Sequence, residues 1–245
     1  MLKKWILKHD RGVQRALEIL PGLVSWNVIL FPWWGILIIP NAVAYFILFF
    51  NIYWLYQSLQ TAVGAIVANV RIQASIGYDW KADLKSFPDW QKVKHLVIIP
   101  TYKEPQHILE RTLKSLADQD LPLKQLLVVL AMEENEDVAV RRSKTKILNS
   151  KFKNTFGQFF ITVHKLLPGE AAGKASNEKY AVLWVKKHFL SPQKVDLNYL
   201  TVTSCDADHK FHPKHFSYLT FKFLDDPKRY LKFWQAAILF YNNIW

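Results

Sequence analysis

The segment His95-Leu96-Val97-Ile98-Ile99-Pro100-Thr101-Tyr102-Lys103-Glu104-Pro105 (HLVIIPTYKEP) decides the fold. Its first six residues are a nearly continuous apolar run that turns polar at once, which is how a strand buried on both faces reads. Residues 105–119 then set Ile108, Leu109, Thr112, Leu113 and Leu116 on one helical face behind an opening proline. The alternation repeats downstream. Strands are expected at residues 123–131 (LKQLLVVLA), 159–164 (FFITVH) and 199–204 (YLTVTS), with a further strand at 230–235. Helices are expected at 137–149, from about 174 to 188 and near 213–224. Strands alternating with helices define an α/β domain with a mostly parallel sheet.

In such a sheet, ligands sit at the carboxyl ends of the strands. Polar clusters stand at those ends here. Thr101, Tyr102 and Glu104 follow the first strand: Tyr102 offers a stacking face and Glu104 an acceptor, although a turn capped before Pro105 would use the same residues. Glu133 and Glu134 follow the second, in a stretch with four acids (133–137) that also reads as a solvated face. Gly173, Lys174 and Asn177 open a helix, where backbone N–H groups and a lysine suit a phosphate or sugar hydroxyls; an ordinary helix start is the alternative. Asp206 and Asp208 follow the fourth strand beside Cys205. Carboxylates at i and i+2 can both reach a hard divalent cation, which would offset negative charge on a leaving diphosphate. Solvated loop carboxylates would carry the same pattern.

Other chemistries fit less well. His209, His212 and His215 are interrupted by Pro213, lack a cysteine pair and match no standard zinc spacing. In the haloacid dehalogenase type of phosphatase, the residue two beyond the Asp-x-Asp is normally Thr or Val; here it is Lys210. Nucleophile-elbow, Walker and dinucleotide glycine motifs are absent.

Upstream, residues 19–70 contain no Asp, Glu, Lys or Arg, whereas one membrane-spanning helix takes roughly 20 residues. The run divides at Pro40-Asn41 into two expected spans, about 23–39 and 43–59, with Pro32 inside the first. Lys3, Lys4, Lys8, Arg11 and Arg15 precede them, and Arg71, Lys81 and Lys85 follow. Two basic flanks predict a hairpin in the cell membrane, with the basic N-terminus (1–18), the α/β domain (93–245) and both termini cytoplasmic. Seven of the ten tryptophans, among them Trp5, Trp26 and Trp80, fall in the first ninety residues, as anchoring at a membrane interface would have it. Residues 71–92 are amphipathic and read as a linker or a membrane-surface segment. Part of the net charge of +12 over 245 residues is therefore a topology signal; no nucleic-acid motif or dense basic run accompanies it. The single cysteine excludes an intrachain disulfide framework.

Three motifs in order, IIPTYKEP (98–105), GKASN (173–177) and a strand followed by CDAD (205–208), resemble the family 2 glycosyltransferases of the cellulose synthase and hyaluronan synthase type. The resemblance runs from about Leu96 to Trp245 and implies a GT-A, Rossmann-like domain beside membrane helices. It implies inverting transfer of a sugar from a UDP-sugar to a hydroxyl of a saccharide or lipid-linked acceptor. It places Thr101, Tyr102 and Glu104 on the uridine, and Glu133-Glu134 where the family has an aspartate that reads uracil. Lys174 and Asn177 would meet the diphosphate and donor sugar, with Ser176 replacing the family's glycine. Asp206 and Asp208 would hold Mg²⁺ or Mn²⁺, Asp206 lying nearer the ribose and sugar. The family's general base, in a Glu-Asp motif, and its Gln-x-x-Arg-Trp segment have no counterpart; only Asp225 and Asp226 follow Asp208. The resemblance thus implies a C-terminally truncated GT-A domain, the donor-binding half, inactive by itself. A non-catalytic nucleotide-sugar-binding membrane protein working beside a partner subunit is the alternative.

Overall fold

Val97 and Ile99 bury on one face of the strand β1 (Lys94–Thr101) and Leu96 and Ile98 on the other, so two helical layers must cover it. The computed structural model, which describes residues 9–171 and 173–237, provides them. It divides into two compact units, Met1–Ser75 and Ile76–Trp245.

In the second unit β1, β2 (Leu126–Glu133), β3 (Gln158–His164) and β4 (Leu200–Ser204) form a four-stranded sheet in the order β3-β2-β1-β4, every pair parallel. One face packs against Leu109, Leu113 and Leu116 of the helix α4 (Gln106–Ala117), Leu148 of α5 (Val138–Phe152) and Phe216 of α7 (His215–Asp225). The other packs against Ala181 and Val185 of α6 (Lys174–Val185). The central strands are buried throughout, whereas β4, at the edge, leaves Val202 55% exposed. Gly157, just before β3, lies so close to the turn preceding β2 that a Cβ there would stand 2.3 Å from the Lys124 carbonyl oxygen.

Residues 76–92 belong to this unit and are not a free linker. The short helix α3 (Trp80–Leu84), capped by the Asp79 carboxylate, buries Leu84 completely, and Trp80 packs on Tyr218 and Phe221 at 4.6 and 5.1 Å. Two further expectations are corrected. The second strand begins at Leu126 because residues 123–125 form a 3-10 turn, fixed by the Gln125 amide donating to the Trp90 and Val93 carbonyls. Residues 230–235 form no strand: Arg229–Leu231 is a 3-10 turn, and Trp234 packs edge-on against Phe223.

The first unit holds two helices, α1 (Asp10–Ile38) and α2 (Pro40–Gly77), the second reaching Gly77 with its last residues in the second unit. Both are long and apolar enough to cross a membrane. They outrun the expected spans because helix continues into their polar flanks. At the turn between them Gly35 is buried against Val43, and Phe31 meets Phe46 at 5.1 Å. Elsewhere their large apolar side chains are exposed. Lys3, Lys4, Trp5 and Lys8 lie outside the described residues.

Candidate functional site

Strand order makes β1 the point where the chain reverses direction across the sheet: β2 and β3 lie to one side of it and β4 to the other. A crevice opens at such a switch point beyond the carboxyl ends of the diverging strands. Here β4 stops at Ser204, opposite Ile98, while β1 runs on to Thr101. The chain leaving β4 turns under the β1 end, with Cys205 N–H donating to the Ile98 carbonyl at 3.2 Å. Cys205 and Ala207 are buried in the core, so Asp206 and Asp208, alternating with them, face solvent.

The resulting cleft has a volume of about 610 Å³. Its wall includes Thr101, Tyr102, Glu104, Glu133, Lys174, Asn177, Asp206 and Asp208, together with Ile108 and Arg111. Every residue expected at the site is there except Glu134. That residue is exposed, with its N–H given to the His164 carbonyl at 2.8 Å and its own carbonyl taking the Arg141 guanidinium at 2.7 Å. Of the other acids in residues 133–137, Glu133 lines the cleft, while Glu136 and Asp137 have structural partners. Glu136 is buried in an ion pair with Lys144, and Asp137 caps α5 by accepting from Val140 N–H at 2.9 Å.

Each wall is locally determined. Glu104 closes the loop after β1, one of its oxygens accepting from the Thr101 hydroxyl (2.5 Å) and from Tyr102 N–H. This tight closure puts Lys103 in the left-handed region, φ 67°, and its ammonium over the Tyr102 ring at 4.9 Å. Lys144 supports the loop from beneath, donating to the Glu104 carbonyl at 2.9 Å. Glu104 thus combines the turn-forming role with a place on the cleft wall.

On the opposite wall Gly173 (φ 151°) lets the chain enter α6, where a residue with Cβ would be strained. Asn177, 1% exposed, ties the first turn of α6 to the sheet by donating to the Ala131 carbonyl at 2.8 Å. Its side-chain oxygen is buried without a hydrogen-bond partner among the described residues. The Lys174 ammonium reaches Asp206 at 2.7 Å and Glu178 at 3.7 Å. The hydrogen bond to Asp206 holds the lysine pKa above its ordinary value. Burial pushes the Cys205 thiol up to about 12, which leaves it protonated and inert as a nucleophile.

Arg111 escaped sequence reading. It sits one helical turn after Ile108, and only its i, i+3 relation to a rim residue pointed at the cleft. Its guanidinium donates to the Asp208 carbonyl at 3.3 Å, and the neighbouring Thr112 hydroxyl to the Ala207 carbonyl at 2.7 Å. Helix α4 therefore grips the Asp206–Asp208 loop at two successive carbonyls.

Charge and donor set say what the cleft can take. Four carboxylates (Glu104, Glu133, Asp206, Asp208) face two cations (Arg111, Lys174), a formal excess of two negative charges. Asp206 and Asp208 offer hard oxygen ligands. Among the described residues no third His, Cys, Asp or Glu completes a cluster with them, so such an ion would keep water or substrate oxygens in its remaining positions, as Mg²⁺ does. The donor set fits a hard divalent cation. The histidines downstream are packed otherwise: His215 meets the Phe216 ring at 4.8 Å, and burial lowers its pKa to about 4.

The chain is thus an α/β protein with a polar, carboxylate-rich cleft at its topological switch point. No protein-family model and no curated protein matches it. Among solved structures it is similar to S. aureus TarS 1-349, at 19% identity and a TM-score of 0.38 over 54% of this chain and 32% of that one. A second structure of S. aureus TarS matches at 21% identity and 0.32, over 47% and 17%. A mannosyltransferase, PcManGT from Pyrobaculum calidifontis, in complex with GDP-Man and Mn²⁺, matches at 20% and 0.38, over 68% and 44%. The chain spans less than half the length of each, and at these TM-scores the likenesses transfer no residue role.

Proposed function

We propose that the cleft binds a nucleotide-sugar, specifically a UDP-sugar, together with Mg²⁺ or Mn²⁺, as the donor-binding half of a membrane-bound inverting glycosyltransferase. The observation that carries this reading is that Thr101, Tyr102, Glu104, Lys174, Asn177, Asp206 and Asp208, drawn from three motifs distant in sequence, line one cleft. Thr101, Tyr102 and Glu104 take the nucleoside, Tyr102 by stacking its half-exposed ring. Lys174, at the start of α6, meets the diphosphate, where the helix N-terminus also favours negative charge. Asp206 and Asp208 hold the cation, which when bound neutralises charge on the leaving diphosphate. Asn177 fixes α6 against β2 and so fixes the height of Lys174 over the cleft.

The two long apolar helices serve as a membrane hairpin with the α/β unit on its cytoplasmic side, where a cytosolic donor reaches it. The acceptor is a saccharide or lipid-linked hydroxyl. The base that deprotonates it is not assigned to this chain: of the two acids following Asp208, Asp226 is committed to Lys228 N–H at 2.8 Å and to Lys232.

Calorimetric titration of the full chain in detergent micelles tests the reading. UDP should bind only with Mn²⁺ or Mg²⁺ present, Asp208→Ala should abolish that binding, and Glu134→Ala should leave it intact. Binding that survives Asp208→Ala would refute the metal assignment, and preference for GDP would refute the uridine assignment. Metal-dependent binding of UDP-sugars without turnover is expected both of a donor-binding half and of a non-catalytic subunit; turnover with a supplied acceptor would exclude the non-catalytic role.

A further inference from the structure

We infer that Arg111 is a second phosphate-binding cation of the cleft, acting with Lys174 on the diphosphate of the donor; this rests on the donor reading above. Three observations lead to it. Among the described residues Arg111 and Lys174 are the only cationic side chains on the cleft wall, and they stand on different elements, α4 and α6. Lys174 is held in ion pairs with Asp206 and Glu178, so by itself it is a poor anchor for a polyanion. Arg111 makes no ion pair among the described residues, and its one hydrogen bond uses a single N–H, to the Asp208 carbonyl at 3.3 Å.

A guanidinium has five N–H donors in a planar fork that matches phosphate oxygens. One donor to the Asp208 carbonyl therefore leaves four. That anchor also ties the fork to the loop carrying the proposed metal ligands, and Thr112 fixes the same loop from the next position. A phosphate bound beside a cation at Asp206 and Asp208 thus meets Arg111 without rearrangement of α4. Arg111 is exposed, so replacing it removes no core packing.

The test compares UDP with uridine, in the presence of Mn²⁺, on the full chain in detergent micelles. Arg111→Gln should weaken UDP binding by about 10- to 100-fold, the loss of one charge-assisted contact. Uridine binding, followed by saturation-transfer NMR, should not change. Arg111→Lys, which keeps the charge without the fork, should fall between the two. Binding of Mn²⁺ alone should match the unmodified chain, since a variant that merely loosened the Asp206–Asp208 loop would lose the metal first. Equal UDP affinity in Arg111→Gln and the unmodified chain would overturn the inference and leave the donor reading standing, as would parallel losses of UDP and uridine, or of UDP and Mn²⁺. Failure of the unmodified chain to bind UDP would overturn both.

Discussion

Asp206 and Lys174 hold each other across the cleft at 2.7 Å, so a cation entering the site competes for the aspartate while an anion competes for the lysine. A metal and a diphosphate arriving together replace one ion pair by two, which gives their binding a reason to be linked. Away from the cleft, His95 carries the clearest pH signature. It is fully buried, its ring nitrogens bonded to the Thr201 and Thr220 hydroxyls at 2.6 and 2.9 Å, and burial lowers its pKa to about 3. Such a histidine is neutral in the fold yet takes a proton in the unfolded chain below pH 6.5. Its stabilising effect is whole above that value and is lost as pH falls toward 3. Between pH 7 and 5 the α/β unit should lose about 2 kcal/mol from this residue, seen as a falling unfolding midpoint that flattens in His95→Gln. An equal slope in the variant would exclude the assignment. Nothing in the sequence marked this histidine, because its partners come from β4 and α7, more than a hundred positions away.

Among the elements, the four strands and the helices between them were legible because each apolar run is bounded by polar turns and the helical faces repeat at 3.6. Boundaries failed where local geometry departs from regular helix or strand. The 3-10 turn at 123–125 delays β2, and the wide turn at Lys186–Leu190 closes α6 at Val185. The expected strand at 230–235 failed because Tyr230 and Trp234 pack on Phe223 of α7. The site was legible for a different reason: the alternation fixes which strand ends share a rim, so clusters distant in sequence could be placed together. Arg111 was missed because a basic residue on an exposed helix face carries no pattern of its own. The close approach of Gly157 to the 123–125 turn gives a test of how the entries to β2 and β3 meet. Gly157→Ala sets a methyl against a backbone oxygen that cannot move aside and should cost about 3 kcal/mol, measured by denaturant unfolding. A loss below about 0.5 kcal/mol, within the range of ordinary surface changes, would show that Gly157 and the 123–125 turn do not approach this closely.

Over the whole molecule, charge and cleft differ in sign: the chain carries +12, yet the cleft wall has two negative charges in excess. The positive balance belongs to the surface and to the flanks of the apolar helices, while the cleft itself asks for a cation before it can receive an anion. The sheet carries one more consequence. Among the described residues β4 pairs with a strand on one side only, and Val202 stands exposed on it, so its outer edge is a template to which another extended segment can add. Sedimentation of the α/β unit should show association that grows with concentration, and Val202→Lys, a charge placed on that edge, should suppress it. Concentration-independent sedimentation would mean the edge is already guarded. An unguarded edge makes this strand both the scaffold of the carboxylate loop and a place open to edge-to-edge association, so whatever protects the one also steadies the other.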